Sequence, residues 1–195
     1  METLFDEIRL FDMNSLNWRD LSLPVKLLKD DYVLPAPVNT GADIFKLMPS
    51  DYLSDQFFNL VHDLNLYPIQ TGCLLFRYST GYFCPIHIDD TISTCNYSIN
   101  FTLEETDSKM EWFKPKEGIL PVTGMTAEHT SYRQYDVNDL ILIDSKNIHK
   151  TTLVRVDIPH RGINFDKKDR WCFSIRFIPK YTFEEAEEIF KKYLT

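Results

Sequence analysis

The sequence predicts a β-rich α+β domain, an antiparallel sandwich or barrel with helices packed on one sheet. Three observations carry this expectation. Residues 72–178 divide into short segments of strand character separated by turn residues. Two of those segments alternate strictly: Tyr97, Ile99, Phe101 and Leu103 interleave with polar residues, and so do Trp171, Phe173, Ile175 and Phe177. Period two places each apolar set on one face of a strand. Finally, Phe183, Ala186, Ile189, Phe190, Tyr193 and Leu194 form one stripe on a C-terminal helix, and such a stripe needs a sheet face to cover.

Taken in chain order, residues 1–70 form an N-terminal support. Pro24, Pro35 and Pro37 interrupt its short apolar pieces, so irregular structure and one edge strand are expected. Residues 51–65 carry Leu53, Phe57, Leu60, Val61 and Leu64 at helical spacing, with Ser50 or Ser54 as cap and Pro68 beyond the end. The core, residues 72–178, holds strands expected at 72–78, 84–89, 96–103, 109–114, 139–143, 149–156 and 170–178. A helix over 182–194 closes the single domain, opened by a capping box of Thr182 and Glu185. The polar residues of the two alternating strands then face either water or a cavity that needs hydrogen-bonding groups.

The 195 residues carry a net charge of −8. That argues against a broad phosphate-binding surface, and nucleic acid is not the expected partner. Cys73, Cys84, Cys95 and Cys172 contain no C-x-x-C, no signal segment is visible, and no apolar run suits a membrane span. A reducing cytoplasm is the expected location.

The chemistry begins at Pro85-Ile86-His87-Ile88-Asp89. On a strand, residues two apart point the same way, so the imidazole of His87 and the carboxylate of Asp89 can reach one ion. A second imidazole would complete a two-histidine, one-carboxylate facial triad with positions left open. Because H-x-D alone recurs by chance, a distal histidine has to complete it. Among His129, His149 and His160, the expectation is His149. It follows an apolar strand and a polar turn, at the start of the next strand, where a barrel rim can host a metal. His129 and His160 read as loop histidines, and His62 is given no role.

His87-x-Asp89, His149 and arginines on the last strand together resemble the Fe(II)/2-oxoglutarate-dependent dioxygenases. The resemblance covers residues 72–178 and implies a double-stranded β-helix, or jelly roll. It also implies Fe(II) as cofactor, 2-oxoglutarate and O₂ as cosubstrates, and oxidation of a small molecule, amino acid or peptidyl side chain. Arg77-Tyr78-x-x-Gly81 and Arg170-x5-Arg176 are similar to the alkylation-repair branch. By that likeness Arg170 pairs with the distal carboxylate of 2-oxoglutarate, Arg176 with the carboxylate nearer the metal, and Tyr78 and Asn100 with the cosubstrate. If strand register decides instead, Arg176 is the principal partner. The interval from His149 to Arg170 is longer than is common in the superfamily, and Phe76 and Cys172 stand where the repair enzymes carry the asparagines that accompany the tyrosine and the first arginine. A cupin-like metal- or sugar-binding jelly roll is the alternative, and a nucleobase-modifying dioxygenase the minor one. Asp90, Asp144 and Asn147 are the sequence neighbours available to orient the imidazoles. Arg133, Arg155 and Arg161 are the cations available to an anionic substrate, and Trp112 is either a pocket wall or core.

Overall fold

The computed structural model describes residues 17–89, 96–125 and 131–195. In chain order the elements are β1 (Trp18–Asp20), β2 (Ala42–Lys46), α1 (Pro49–Tyr52), α2 (Asp55–Asp63), β3 (Tyr67–Tyr78), β4 (Ile86–Ile88), β5 (Tyr97–Thr102) and β6 (Lys109–Pro115). They continue with β7 (Val122–Met125), β8 (Ser131–Tyr135), β9 (Leu140–Asn147), β10 (Thr152–Arg155), β11 (His160–Ile163), β12 (Arg170–Ile178) and α3 (Phe183–Phe190). The strands form two antiparallel sheets of six. One has the order β1-β10-β5-β12-β3-β2, the other β7-β8-β4-β11-β6-β9.

Alternation in β5 and β12 decides how the first sheet is used. Its apolar face, with Tyr97, Ile99, Phe101, Phe173, Ile175 and Phe177, forms the main core together with Phe57 and Val61 of α2 and Phe183, Ala186 and Phe190 of α3. The opposite face turns Ser98, Asn100, Cys172 and Ser174 toward the cleft between the sheets. The cavity-facing reading of these polar residues therefore holds. A smaller apolar cluster gathers Met110, Trp112, Ile148, Val154 and Val156, and a third Ile86, Phe113 and Leu140. Trp112 is core: it is fully buried, and its indole N–H donates to the carbonyl of Arg155 at 2.9 Å.

The helix ends follow local chemistry. Ser54 Oγ accepts from the N–H of Phe57, capping α2. At its other end Asn65 adopts φ 56°, and the Leu66 N–H returns to the carbonyl of Val61 at 2.8 Å. Asparagine tolerates this left-handed conformation, so the helix stops before Pro68 is reached. Thr182 and Glu185 form the expected capping box.

The N-terminal region supplies two edge strands where one was expected, since β1 and β2 bound the two sides of the first sheet. The strand expected at 139–143 runs on to Asn147, and the one expected from 149 begins at Thr152. β7, β8 and β11 were not anticipated, because their sequences lack alternation.

Asp43 of β2 lies opposite Arg77 of β3. Arg77 bonds Asp43 at 2.5 Å and Asp169 at 2.7 Å, and Asp43 is 3% exposed. Burial pushes the Asp43 carboxyl up, but the N–H groups of Val38 and Asn39 and the Arg77 guanidinium outweigh it and hold the carboxyl below its usual value. Breaking a buried pair leaves a charge stranded. Asp43→Ala is expected to cost about 3 kcal/mol, the lower end for such pairs because Asp169 remains, read from urea unfolding at pH 7. The sign with pH follows from the lowered folded value. The contribution is complete above the unfolded carboxylate pKa of roughly 3.9 and disappears as pH falls through the folded one.

Candidate metal centre

The site is built by the pairing of β4 with β11, which sets His160 directly opposite His87. Opposed residues of an antiparallel pair project to the same face with Cβ atoms roughly 5 Å apart. Asp89 follows two residues after His87, and its backbone N–H is tied to the carbonyl of Val156 at 3.1 Å. One ligand atom from each of His87, Asp89 and His160 lies within 4.8 Å of the others. His87 Nε2 stands 3.3 Å from one Asp89 oxygen and His160 Nε2 3.5 Å from the other. The two imidazole centroids are 4.7 Å apart.

Both rings are oriented the same way. His87 Nδ1 meets the carbonyl of Pro85 at 2.8 Å, and His160 Nδ1 meets the carbonyl of Ile158 at 2.9 Å. A carbonyl can only accept, so each Nδ1 carries the proton and each Nε2 is directed at Asp89. This is the outer hydrogen bond that metal-binding histidines use. Backbone carbonyls two residues upstream supply it. Of the side chains expected in that role, Asp144 instead accepts from Asn17 and Trp18, and Asp90 lies outside the described residues.

The charges balance around the carboxylate. Burial pushes Asp89 up, but the charge of Arg176 and the hydrogen bonds from His160 and His87 hold it well below the usual carboxylate range. Burial lowers His87, yet the bonds to Asp89 and Cys84 hold it well above the ordinary imidazole value. Arg176, 6% exposed, donates directly to Asp89.

The structure does not bring His149, the expected third donor, to this group. His149 lies in the turn after β9, exposed, because Ile148 beside it turns fully into the core. β9 and β10 also belong to different sheets, so this turn leads away from β4. His149 lines a separate hollow of about 500 Å³ with Leu21, Leu23, Phe101 and Thr195. That hollow is much roomier than the cleft at the histidines, about 40 Å³, but brings no ligand set together among the described residues. His160, expected in a loop, is the residue that joins His87 and Asp89. His129 lies outside the described residues. One signal in the sequence pointed this way: His149 sits 21 positions before Arg170, whereas His160 sits ten before it.

Three of the four residues expected at the cosubstrate gather in the cleft; the fourth, Arg176, instead donates to Asp89. Tyr78, Asn100 and Arg170 line it beside His87, Asp89 and His160. Arg170 is opposite Tyr78 in the β12–β3 pairing, and its guanidinium lies 5.4 Å from the Tyr78 ring centre. It is 2% exposed, its Nε has no hydrogen-bond partner, and among the described residues no carboxylate pairs with it. A buried cation without an anion is costly, so this end of the cleft suits an anionic ligand. Gly162, missed by sequence reasoning, shapes the same end: a Cβ there would stand 2.6 Å from Tyr78 Cε2 and 3.5 Å from Arg170 Nη1. Asn100 Oδ1 accepts from Ser98, and its amide reaches Met110 Sδ at 3.4 Å. Of the arginines considered for substrate, Arg155 is held by Glu184 and Asp157, and Arg161 by Glu111.

No protein-family model matches the chain, and no curated protein matches it in sequence. Among solved structures, the cysteine peptidase peruvianin-I from Thevetia peruviana latex aligns over 84% of this chain and 89% of its own, at 10% identity and TM-score 0.34. A likeness that low carries no argument about fold or function. What the chain does contain is a half-buried His-Asp-His group able to hold a metal ion, set between two antiparallel sheets.

Proposed function

We propose that the protein is an Fe(II)- and 2-oxoglutarate-dependent dioxygenase on a double-stranded β-helix core, with His87, Asp89 and His160 as metal ligands. One observation carries this reading: a two-histidine, one-carboxylate group shares a single cleft with a buried arginine that has no carboxylate partner among the described residues. The donor set fits iron, since imidazole and carboxylate suit a divalent ion of intermediate hardness and three protein ligands leave positions open. With His160 as ligand, the long interval before Arg170 that departed from the superfamily pattern disappears. The two facing six-stranded sheets are compatible with a jelly roll.

When bound, Fe(II) with 2-oxoglutarate and O₂ supplies the oxidation of a C–H bond coupled to decarboxylation of the cosubstrate. The chain's own residues bind and orient. Arg170 would pair with the distal carboxylate, with Tyr78 beside its guanidinium and Gly162 leaving room. Arg176 anchors Asp89, which fixes the carboxylate toward the histidines. The substrate class proposed is a small molecule, amino acid or peptidyl side chain.

The test is anaerobic addition of Fe(II) and then 2-oxoglutarate. A weak visible charge-transfer band is expected, with calorimetry showing one 2-oxoglutarate bound per metal-loaded chain. Metal binding without any 2-oxoglutarate binding would replace this reading with a cupin-like metal-binding jelly roll.

A further inference from the structure

Beside the metal ligands lies a wall that neither the H-x-D motif nor the arginines explain. β8 pairs with β4 so that Gln134 stands opposite His87. Two residues earlier, on the same face of β8, Tyr132 meets the His87 imidazole nearly at right angles (80°), with ring centroids 5.9 Å apart. The Tyr132 hydroxyl donates to Gln134 Oε1 at 3.3 Å. On the other side, β7 places Gly124 opposite Tyr132. A Cβ at residue 124 would lie 2.6 Å from Tyr132 Cζ, 2.8 Å from Cε2 and 3.0 Å from Cε1. The phenol ring thus lies flat over the bare glycine, tethered at its hydroxyl and pressed against the histidine.

We propose that Tyr132 is a positioning residue for His87 and that Gly124 is glycine so that Tyr132 can reach it; this rests on His87 being a metal ligand. The hydrogen bond from His87 Nδ1 to Pro85 sets the ring's tautomer, and the Asp89 oxygen lies beyond Nε2, but both act at the ring's edge. Tyr132 packs against the imidazole on the side facing β8. Ring orientation is what an outer contact of a metal-binding histidine contributes, and losing one commonly costs 10–100-fold in metal affinity. At Gly124 no positive φ is involved, so the glycine is required by space alone.

The experiment titrates Co(II) into the full chain and follows both affinity and the visible ligand-field spectrum. Wild type, Gly124→Ala, Tyr132→Phe, Tyr132→Ala and the Gly124→Ala/Tyr132→Ala double variant are compared, with the thermal midpoint of each metal-free protein measured alongside. Gly124→Ala is expected to weaken Co(II) about tenfold and change its spectrum, because the new methyl group displaces the phenol ring. Tyr132→Phe keeps the ring and stays near wild type. Tyr132→Ala weakens binding, and adding Gly124→Ala to it has no further effect, since the ring that the methyl group would strike is gone. Wild-type affinity and spectrum in Tyr132→Ala would overturn the proposal, as would a Gly124→Ala effect that persists without the tyrosine. If Gly124→Ala does not fold, Tyr132→Ala against Tyr132→Phe decides alone. A wild-type protein that takes up no Co(II) refutes the metal site itself, an outcome distinct from every other.

Discussion

Replacing His160 with alanine is expected to weaken Co(II) or Zn(II) binding by at least about a hundredfold, while His149→Ala leaves affinity at the wild-type level. Outer partners of metal-bound histidines already account for 10–100-fold, and a direct ligand contributes more. His160 is one of three donors whose ligand atoms lie within 4.8 Å, whereas His149 lies exposed on another turn. The substitution also removes the hydrogen bond to the Ile158 carbonyl and leaves space between the sheets, costing the metal-free fold roughly 1–2 kcal/mol. His160→Gln keeps most of the volume and separates the two effects: its stability should recover more than its metal affinity. Calorimetric titration of the four proteins checks the prediction. Loss of binding in His149→Ala with retention in His160→Ala would remove the site described above.

Arg170→Met is expected to act in opposite directions on the empty and the ligand-bound protein. In the metal-loaded protein it should weaken 2-oxoglutarate by about 3 kcal/mol, more than a hundredfold, because a buried carboxylate would lose its charged partner. In the protein without cosubstrate it should be neutral or raise the thermal midpoint, because the wild-type chain holds a guanidinium 2% exposed whose Nε has no acceptor. Replacing a buried charge by an apolar side chain of similar volume is often stabilising. A residue serving only as structural support would destabilise both forms when replaced. Arg176 provides the contrast. It is already paired with Asp89, so Arg176→Met should destabilise the metal-free protein and weaken metal binding, not cosubstrate binding alone. Thermal unfolding with and without 2-oxoglutarate distinguishes the two arginines.

Much of the scaffold was legible because it depends on local pattern. Period two in β5 and β12 marked both faces correctly: Phe101 and Phe173 stack in the main core with centroids 5.1 Å apart, while Asn100 and Ser174 line the cleft. Thr182 and Glu185 announced α3 through a contact spanning three residues. His87 and Asp89 were legible for the same reason, since two residues on one strand share a face whatever the rest of the chain does. The strand holding His160 was not, because His160-Arg161-Gly162-Ile163 has no alternation and its glycine reads as a turn. Gly162 is there to make room for Tyr78, a residue more than eighty positions away in the sequence.

The chain by itself thus determined a β-rich domain with a C-terminal helix, the polar lining of two strands, and two of the three members of the His-Asp-His group. Each of these rests on interactions within a few residues, where bond geometry and side-chain period suffice. Tertiary structure decided the third member of that group, the carbonyls of Pro85 and Ile158 that orient the rings, and the burial of Arg170 away from any carboxylate among the described residues. Those depend on which strands become neighbours and in what register. That outcome is set by burial across the whole domain: with Ile148 drawn into the core, His149 was left outside, and β11, not the β9–β10 turn, lies against β4.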